Sequence, residues 1–357
     1  MAKKLTAAAS HTLWLGWKLV IAASFILCIL VFLRLQRYSL SDSETILSVS
    51  RNYKPSNDNF SGNPKVAFLF LARRNLPLDF LWRSFFQNAD SANFSIYIHS
   101  EPGFAFDKST TSSPFFYNRQ LKNSIKVAWG QSSMIEAERL LLNAALEDPA
   151  NQRFVLLSES CVPLYNFSYV YAYLMASPRS FVDSFLDESE KEKENRYNPR
   201  MMPYIPKSKW RKGSQRRPPI EASLRNPNLN LQKQHNCIPD EHYVQTLLEM
   251  HGLGGELERR TVTYTVWNQS KTNMEKGGWH PMRFNYADAG PEKIKTIKAI
   301  RNVYYKTEDR TEWCSNNSTL VPCFLFARKF SRAAAMRLLS EVGGDRFDVS
   351  ALMDPPT

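Results

Sequence analysis

Lys65 is followed by Val66-Ala67-Phe68-Leu69-Phe70-Leu71-Ala72, a run with no polar residue to turn towards water. A strand with one wet face alternates polar and apolar residues. This one does not, so it reads as a strand covered on both sides, the kind that parallel sheets bury. It is far too short to cross a bilayer. Parallel neighbours need crossover connections, and the chain offers them in order. Leu78 to Phe86 has helical spacing, Phe94 to His99 is a second strand and Ile125 to Trp129 a third. Ser133 to Glu147 is an amphipathic helix, and Phe154 to Leu157 is a fourth strand. The alternation predicts an α/β domain with a mainly parallel central sheet. Ligands of such sheets sit beyond the C-terminal strand ends. Glu101 follows the second strand, and Ser158 and Glu159 follow the fourth, either as site-lining residues or as solvated loop residues.

The second half is less regular. Tyr197 to Arg217 is dense in Lys, Arg and Pro, and no clear element follows before Asn236, a longer connection than compact domains usually carry. Then comes Asn236-Cys237-Ile238-Pro239-Asp240-Glu241-His242-Tyr243, leading into a helix over 244–250. Pro239 suits a first helical turn, where its missing N–H is not needed, and acids there gain from the helix dipole. Asp240 and Glu241 read either as caps or, for Glu241, as a general base whose site raises it from roughly 4.3 towards neutrality. A strand is expected over 261–267, a helix over 291–301, a short apolar segment over 322–327 and a helix over 332–339. Arg328 and Lys329 stand between the last two.

Ahead of the domain, Leu19 to Leu33 is an uncharged apolar run. Extended back to residue 13, with the Trp rings at the interface and Lys18 snorkelling, it reaches the ~20 residues a span needs. A cleaved signal peptide is the alternative, which Arg34 and Arg37 directly after the run disfavour. The glycosylation sequons at Asn59, Asn93, Asn166, Asn268, Asn316 and Asn317 all follow the run, which favours a lumenal domain. Outside the run lie Cys161, Cys237, Cys314 and Cys323, an even number for an oxidising compartment. Cys314 and Cys323 flank a short turn and are candidates for a disulfide. The expected organisation is a cytoplasmic tail (1–12), a transmembrane signal-anchor (13–33), a polar stem (34–63), one α/β domain (64–342) and a C-terminal tail (343–357). The topology is that of a single-pass type II membrane protein of the secretory pathway.

The formal charge of +12 calls for an anionic partner or surface. The basic residues are scattered, without a basic helix or a zinc-finger spacing, so nucleic acid is not expected. There is no glycine-rich phosphate loop, no zinc or iron spacing, and no Asp-x-Asp within the domain. An enzyme handling a nucleotide diphosphate would therefore have to neutralise it with Lys and Arg. Taken alone, Lys329 is as readily a surface residue.

The motifs together point further. Phe68-Leu-Phe-Leu-Ala72, Tyr97-Ile-His-Ser-Glu101-Pro, Trp129-Gly-Gln-Ser-Ser-Met134 with Glu138-Arg139, and Phe154-Val-Leu-Leu-Ser-Glu-Ser-Cys161-Val-Pro are joined by Trp210-Arg-Lys-Gly-Ser-Gln215, Cys237-Ile-Pro-Asp-Glu-His-Tyr243, Arg259-Arg-Thr-Val-Thr-Tyr264 and Pro322-Cys-Phe-Leu-Phe-Ala-Arg-Lys-Phe330. Over about residues 65 to 340 the chain resembles the plant branch of the core-2/I-branching β-1,6-N-acetylglucosaminyltransferase family, related to glycosyltransferase family 14. That resemblance implies a GT-A-like fold and a Golgi type II membrane enzyme. It would transfer a hexosyl, acetylglucosaminyl or glucuronosyl group from a UDP-sugar to a glycan or glycoprotein acceptor, inverting and without a metal or other cofactor. It implies Glu241 as the base on the acceptor hydroxyl, Lys329 and, by a looser match, Arg310 on the diphosphate, and Glu101 on the uracil side. The chain departs from the family pattern after Gln215, where a further strand and helix would follow and Arg216-Arg217-Pro218-Pro219 stands instead. An internal deletion beside the site leaves a second reading, a catalytically inactive membrane-tethered glycan-binding or scaffold form.

Overall fold

The computed structural model describes residues 18, 24, 29–30, 61–186, 197, 202, 204–213, 239–266, 281–305, 308–316 and 319–342, without the side chains of 239, 316, 319 and 339–342. The chain divides into two compact units, Met1–Ser61 and Gly62–Thr357. Of the first, Lys18, Ser24, Ile29 and Leu30 are described as helical. Among the described residues no helix is long and apolar enough to cross a membrane. The rest of the expected span at 13–33 lies outside the described residues, as do positions 34–60 of the expected stem and the tail at 343–357.

The second unit is built on strand β1 (Lys65–Leu71), the apolar run that opens the domain. It pairs in parallel with β2 (Phe94–His99) on one side and β3 (Asn151–Ser158) on the other, giving the order β2-β1-β3. Val66 to Phe70 are all buried, as an unalternating strand requires. The two faces meet different partners. Val66, Phe68 and Phe70 face the larger core, where helix α1 (Asp79–Gln87) contributes Trp82, Phe85 and Phe86, and helix α3 (Phe167–Ala176) contributes Phe167 and Val170. Phe68 meets Phe85 and Phe86 edge to face at 5.7 and 5.1 Å, pairs worth about 0.5–1.5 kcal/mol beyond their buried area. On the opposite face Ala67 and Leu69 pack under Leu141 and Ala145 of helix α2 (Ser132–Leu146).

One expected strand is absent. Residues 125–129 carry no strand, because the edge beside β2 is already used: Leu121 N–H donates to the Ile98 carbonyl at 2.7 Å, and Ile98 N–H to Arg119 at 2.9 Å. The Ile125 N–H instead donates to His99 Nε2 at 3.1 Å. Burial holds that His below its ordinary pKa, consistent with its accepting role.

A smaller sheet closes the domain. Strand β4 (Val162–Pro163) lies antiparallel, and β5 (Thr263–Thr265) parallel, to a later strand formed by Phe326–Arg328, so the latter is central. Among the described residues the remaining α-helices are α4 (Tyr243–Met250), α5 (Pro291–Lys298) and α6 (Arg332–Val342), with a hairpin, Asn302–Tyr305 against Arg310–Trp313, between the last two. The expected disulfide is present: Cys314 and Cys323 are bonded, and both are buried.

Candidate active site

Three chain segments leave β1, β3 and the central strand of the smaller sheet carrying charge. Arg73 follows β1, Glu159 follows β3, and Lys329 follows Arg328 at the end of Phe326–Arg328. Glu159 accepts from the Arg73 backbone N–H at 2.8 Å and from Arg73 Nε at 2.7 Å, and its ion pair to the same guanidinium is 2.6 Å. Lys329 is half-buried. Burial holds its ammonium below the usual lysine range, the positive charges of Arg328, Arg283 and Arg73 push it further the same way, and Glu159 opposes them. The Phe330 N–H donates to the Ser160 carbonyl at 3.0 Å, which sets Lys329 beside Glu159, and the cations acting on Lys329 outnumber that one carboxylate. The Nε of Arg328 is buried and has no hydrogen-bond partner among the described residues.

The Pro239-Asp240-Glu241 segment is not the expected first turn of the α-helix. It forms a separate 3-10 turn, and α4 begins at Tyr243. His242 breaks the helix, at φ −129°. Its ring stacks on Trp210 at 4.3 Å, and its Nδ1 bonds the Arg211 carbonyl at 2.9 Å, contacts that pull the residue out of helical alignment. The Trp210-Arg-Lys-Gly segment thus acts as the seat of the turn. Gly213 N–H donates to the Glu241 carbonyl at 3.0 Å, Gln245 Nε2 donates to the same oxygen, and Arg211 N–H donates to Thr246 Oγ1 at 3.0 Å. A Cβ on Gly213 would stand 2.6 Å from Gln245 Nε2, so any larger residue displaces the end of that side chain. Glu241 is half-buried on this braced turn.

The turn packs on α2, where Glu138 faces it. Burial, reinforced by the neighbouring charge of Asp240, pushes the Glu138 carboxyl up to about 7. Beside the Trp210 seat opens a cleft of about 900 Å³ whose wall includes Lys209, Arg211, Glu249, Arg259 and Glu308.

The structure brings Lys329 and Glu159 together, and Glu101 stands at its expected strand end, 3.6 Å from Arg74 in an exposed pair. Ser158 is the last residue of β3, its hydroxyl 3.2 Å from that of Ser160 in the turn that follows. Arg310 is engaged elsewhere: it pairs with Glu308 at 2.8 Å and with Glu312, and covers the Tyr305 ring at 4.4 Å. Tyr305 in turn donates to Asp183 at 2.8 Å, a carboxyl that burial pushes up to about 7. Arg73 and Arg283 were not singled out in the sequence. Arg73 carries a readable signal, a cation directly after a buried parallel strand; Arg283 is placed only by tertiary structure.

Of the sequons, Asn166 caps α3 by accepting from Tyr169 N–H at 2.9 Å, and Asn93 is partly exposed in a 3-10 turn. Asn59, Asn268, Asn317 and the side chain of Asn316 lie outside the described residues.

A family profile described as Core-2/I-Branching enzyme matches residues 66–298. The chain is also similar to Glycosyltransferase BC10 of Oryza sativa subsp. japonica, at 51% identity over 309 residues, covering 78% of this chain and 76% of that protein. The 309 aligned positions outnumber 78% of 357 residues, so the rice protein carries residues that this chain lacks within the aligned region. Lys329 falls beyond the profile match and is placed by geometry.

Proposed function

Because the chain belongs to the core-2/I-branching enzyme family and is a glycosyltransferase, we propose that it moves a sugar from a UDP-sugar to a glycan hydroxyl by one inverting displacement, without a metal. The observation that carries this reading is the cation cluster around Lys329 at the strand ends. A departing diphosphate must be stabilised where its charge develops, and Lys329 with its arginine neighbours supplies that charge.

Glu241 serves as general base. The acceptor oxygen attacks the anomeric carbon and gives its proton to the Glu241 carboxylate, the bond from that carbon to the phosphate oxygen breaks, and UDP leaves with the bonding pair. The role fits a carboxylate whose backbone is braced from Gly213 and Gln245, since a base must be held within hydrogen-bond reach of the proton it takes. Asp240, beside Glu138, supports the turn, and Glu101 at the end of β2 fits the uracil side. The cellular setting of the proposal is the Golgi membrane, with a type II anchor at 13–33, a lumenal catalytic domain and a glycan or glycoprotein acceptor.

The test is sugar transfer in EDTA with a panel of UDP-sugars and glycan acceptors, for the wild type and Glu241→Gln. Transfer by the wild type, lost in the variant while UDP still binds, supports the reading. UDP-independent glycan binding that survives Glu241→Gln, with no transfer, would instead favour the non-catalytic scaffold.

A further inference from the structure

Arg73 is one of the cations around Lys329, and Glu159 holds it at the strand ends. The acid is the fixed member. Its side chain is 17% exposed and accepts from both backbone and guanidinium of Arg73, whereas the Arg73 side chain is 87% exposed. Glu159 uses the Nε and one terminal nitrogen, which sets the plane of the guanidinium and leaves its other N–H groups to the solvent side. Arg328, whose buried Nε has no acceptor among the described residues, adds a second cation with unfilled hydrogen-bonding capacity.

The balance of charge points to an anion: around Lys329 the cations Arg73, Arg283 and Arg328 outnumber the carboxylate of Glu159. The diphosphate of a UDP-sugar carries about two negative charges, and the released UDP about three once its terminal phosphate ionises with a pKa near 6. An excess of cations therefore gains more from the leaving group than from the donor, and interactions that strengthen as the bond breaks are those that accelerate the reaction.

We infer that Arg73, held in plane by Glu159, is a ligand of the terminal phosphate of the leaving UDP, with Glu159 as its positioning residue. This rests on the reading of Lys329 as the diphosphate site. Arginine suits the role because its planar fork makes paired bonds to phosphate that a lysine cannot.

Calorimetric titration of the full chain with UDP and with UMP tests the inference, with circular dichroism as the check on folding. The wild type binds UDP more tightly than UMP. Arg73→Ala weakens UDP about tenfold, leaves UMP little changed and so narrows the gap between them; Arg73→Lys recovers part of the loss. Glu159→Gln weakens UDP as well, although it adds net positive charge, because the guanidinium loses its holder. Tighter UDP binding in Glu159→Gln overturns the positioning role. If Arg73→Ala binds UDP like the wild type while Lys329→Ala does not, the inference falls and the Lys329 reading stands. If Lys329→Ala also binds normally, both fall.

Discussion

Replacing Glu138 by Gln should make the protein more stable at pH 8 while changing little at pH 4. The carboxyl sits under the Pro239–Glu241 turn with an ordinary value of 4.5 in the unfolded chain and about 7 in the folded one. A raised folded value means that the folded state favours the proton. The cost of ionising Glu138 in place is absent below pH 4.5, grows between 4.5 and 7, and is complete above 7. At 1.36 kcal/mol per tenfold the full cost is at most about 3 kcal/mol, and partial exposure trims it to about 2 kcal/mol. Glutamine keeps the shape of the protonated acid and never ionises. Denaturant unfolding of both proteins at pH 4, 6 and 8 measures the difference directly, and the pH trend of Asp183, common to both, cancels. The stability gained by the variant should rise by about 2 kcal/mol between pH 4 and pH 8. A constant difference across that range would refute the reasoning, as it would mean that Glu138 ionises in the fold as freely as in the open chain.

Gly213→Ala should cut transfer far more than it cuts stability, because the added Cβ drives Gln245 away from the Glu241 carbonyl; kinetics beside a thermal melt decide it. Cys314→Ser should destabilise the domain by about 2.5 kcal/mol, the entropy of freeing the loop across a separation of 9 residues, readable by unfolding with and without reductant. Trp210→Ala removes the ring under His242 and should lower kcat with a smaller effect on UDP affinity, whereas an equal loss of both would show that the stack supports the whole domain.

The parallel sheet was legible because burial on both faces erases alternation, and β1 shows that plainly: every residue from Val66 to Phe70 is apolar and every one is buried. Ile125 to Trp129 misled for the converse reason. Local pattern says nothing about whether a sheet edge is vacant, and residues 119–121 had taken it. The Pro-Asp-Glu turn was legible as a helix start, but its 3-10 form depends on Trp210 lying under His242, a contact between residues far apart in the chain. Lys329 was within reach only through the family resemblance, since its place after an apolar segment suits a surface residue as well. The arginines around it could not all be found that way, because Arg73, Arg283 and Arg328 come from three separate segments that only the fold brings within reach of one ammonium. Arg310 shows the same limit from the other side: its spacing suited the diphosphate, and the fold spends it on Glu308, Glu312 and Tyr305.

The most direct test of the central claim is a thermal melt of the full chain with and without UDP, in EDTA and again with Mn²⁺. A nucleotide that binds only the folded state raises the melting temperature, by the equivalent of about 2.7 kcal/mol at a hundred times its Kd. A cooperative melt raised by UDP in EDTA, and abolished as a response in Lys329→Ala, is the predicted result. A melt that UDP leaves unmoved in EDTA, or moves only when Mn²⁺ is present, would contradict a site that holds its diphosphate with lysine and arginine alone.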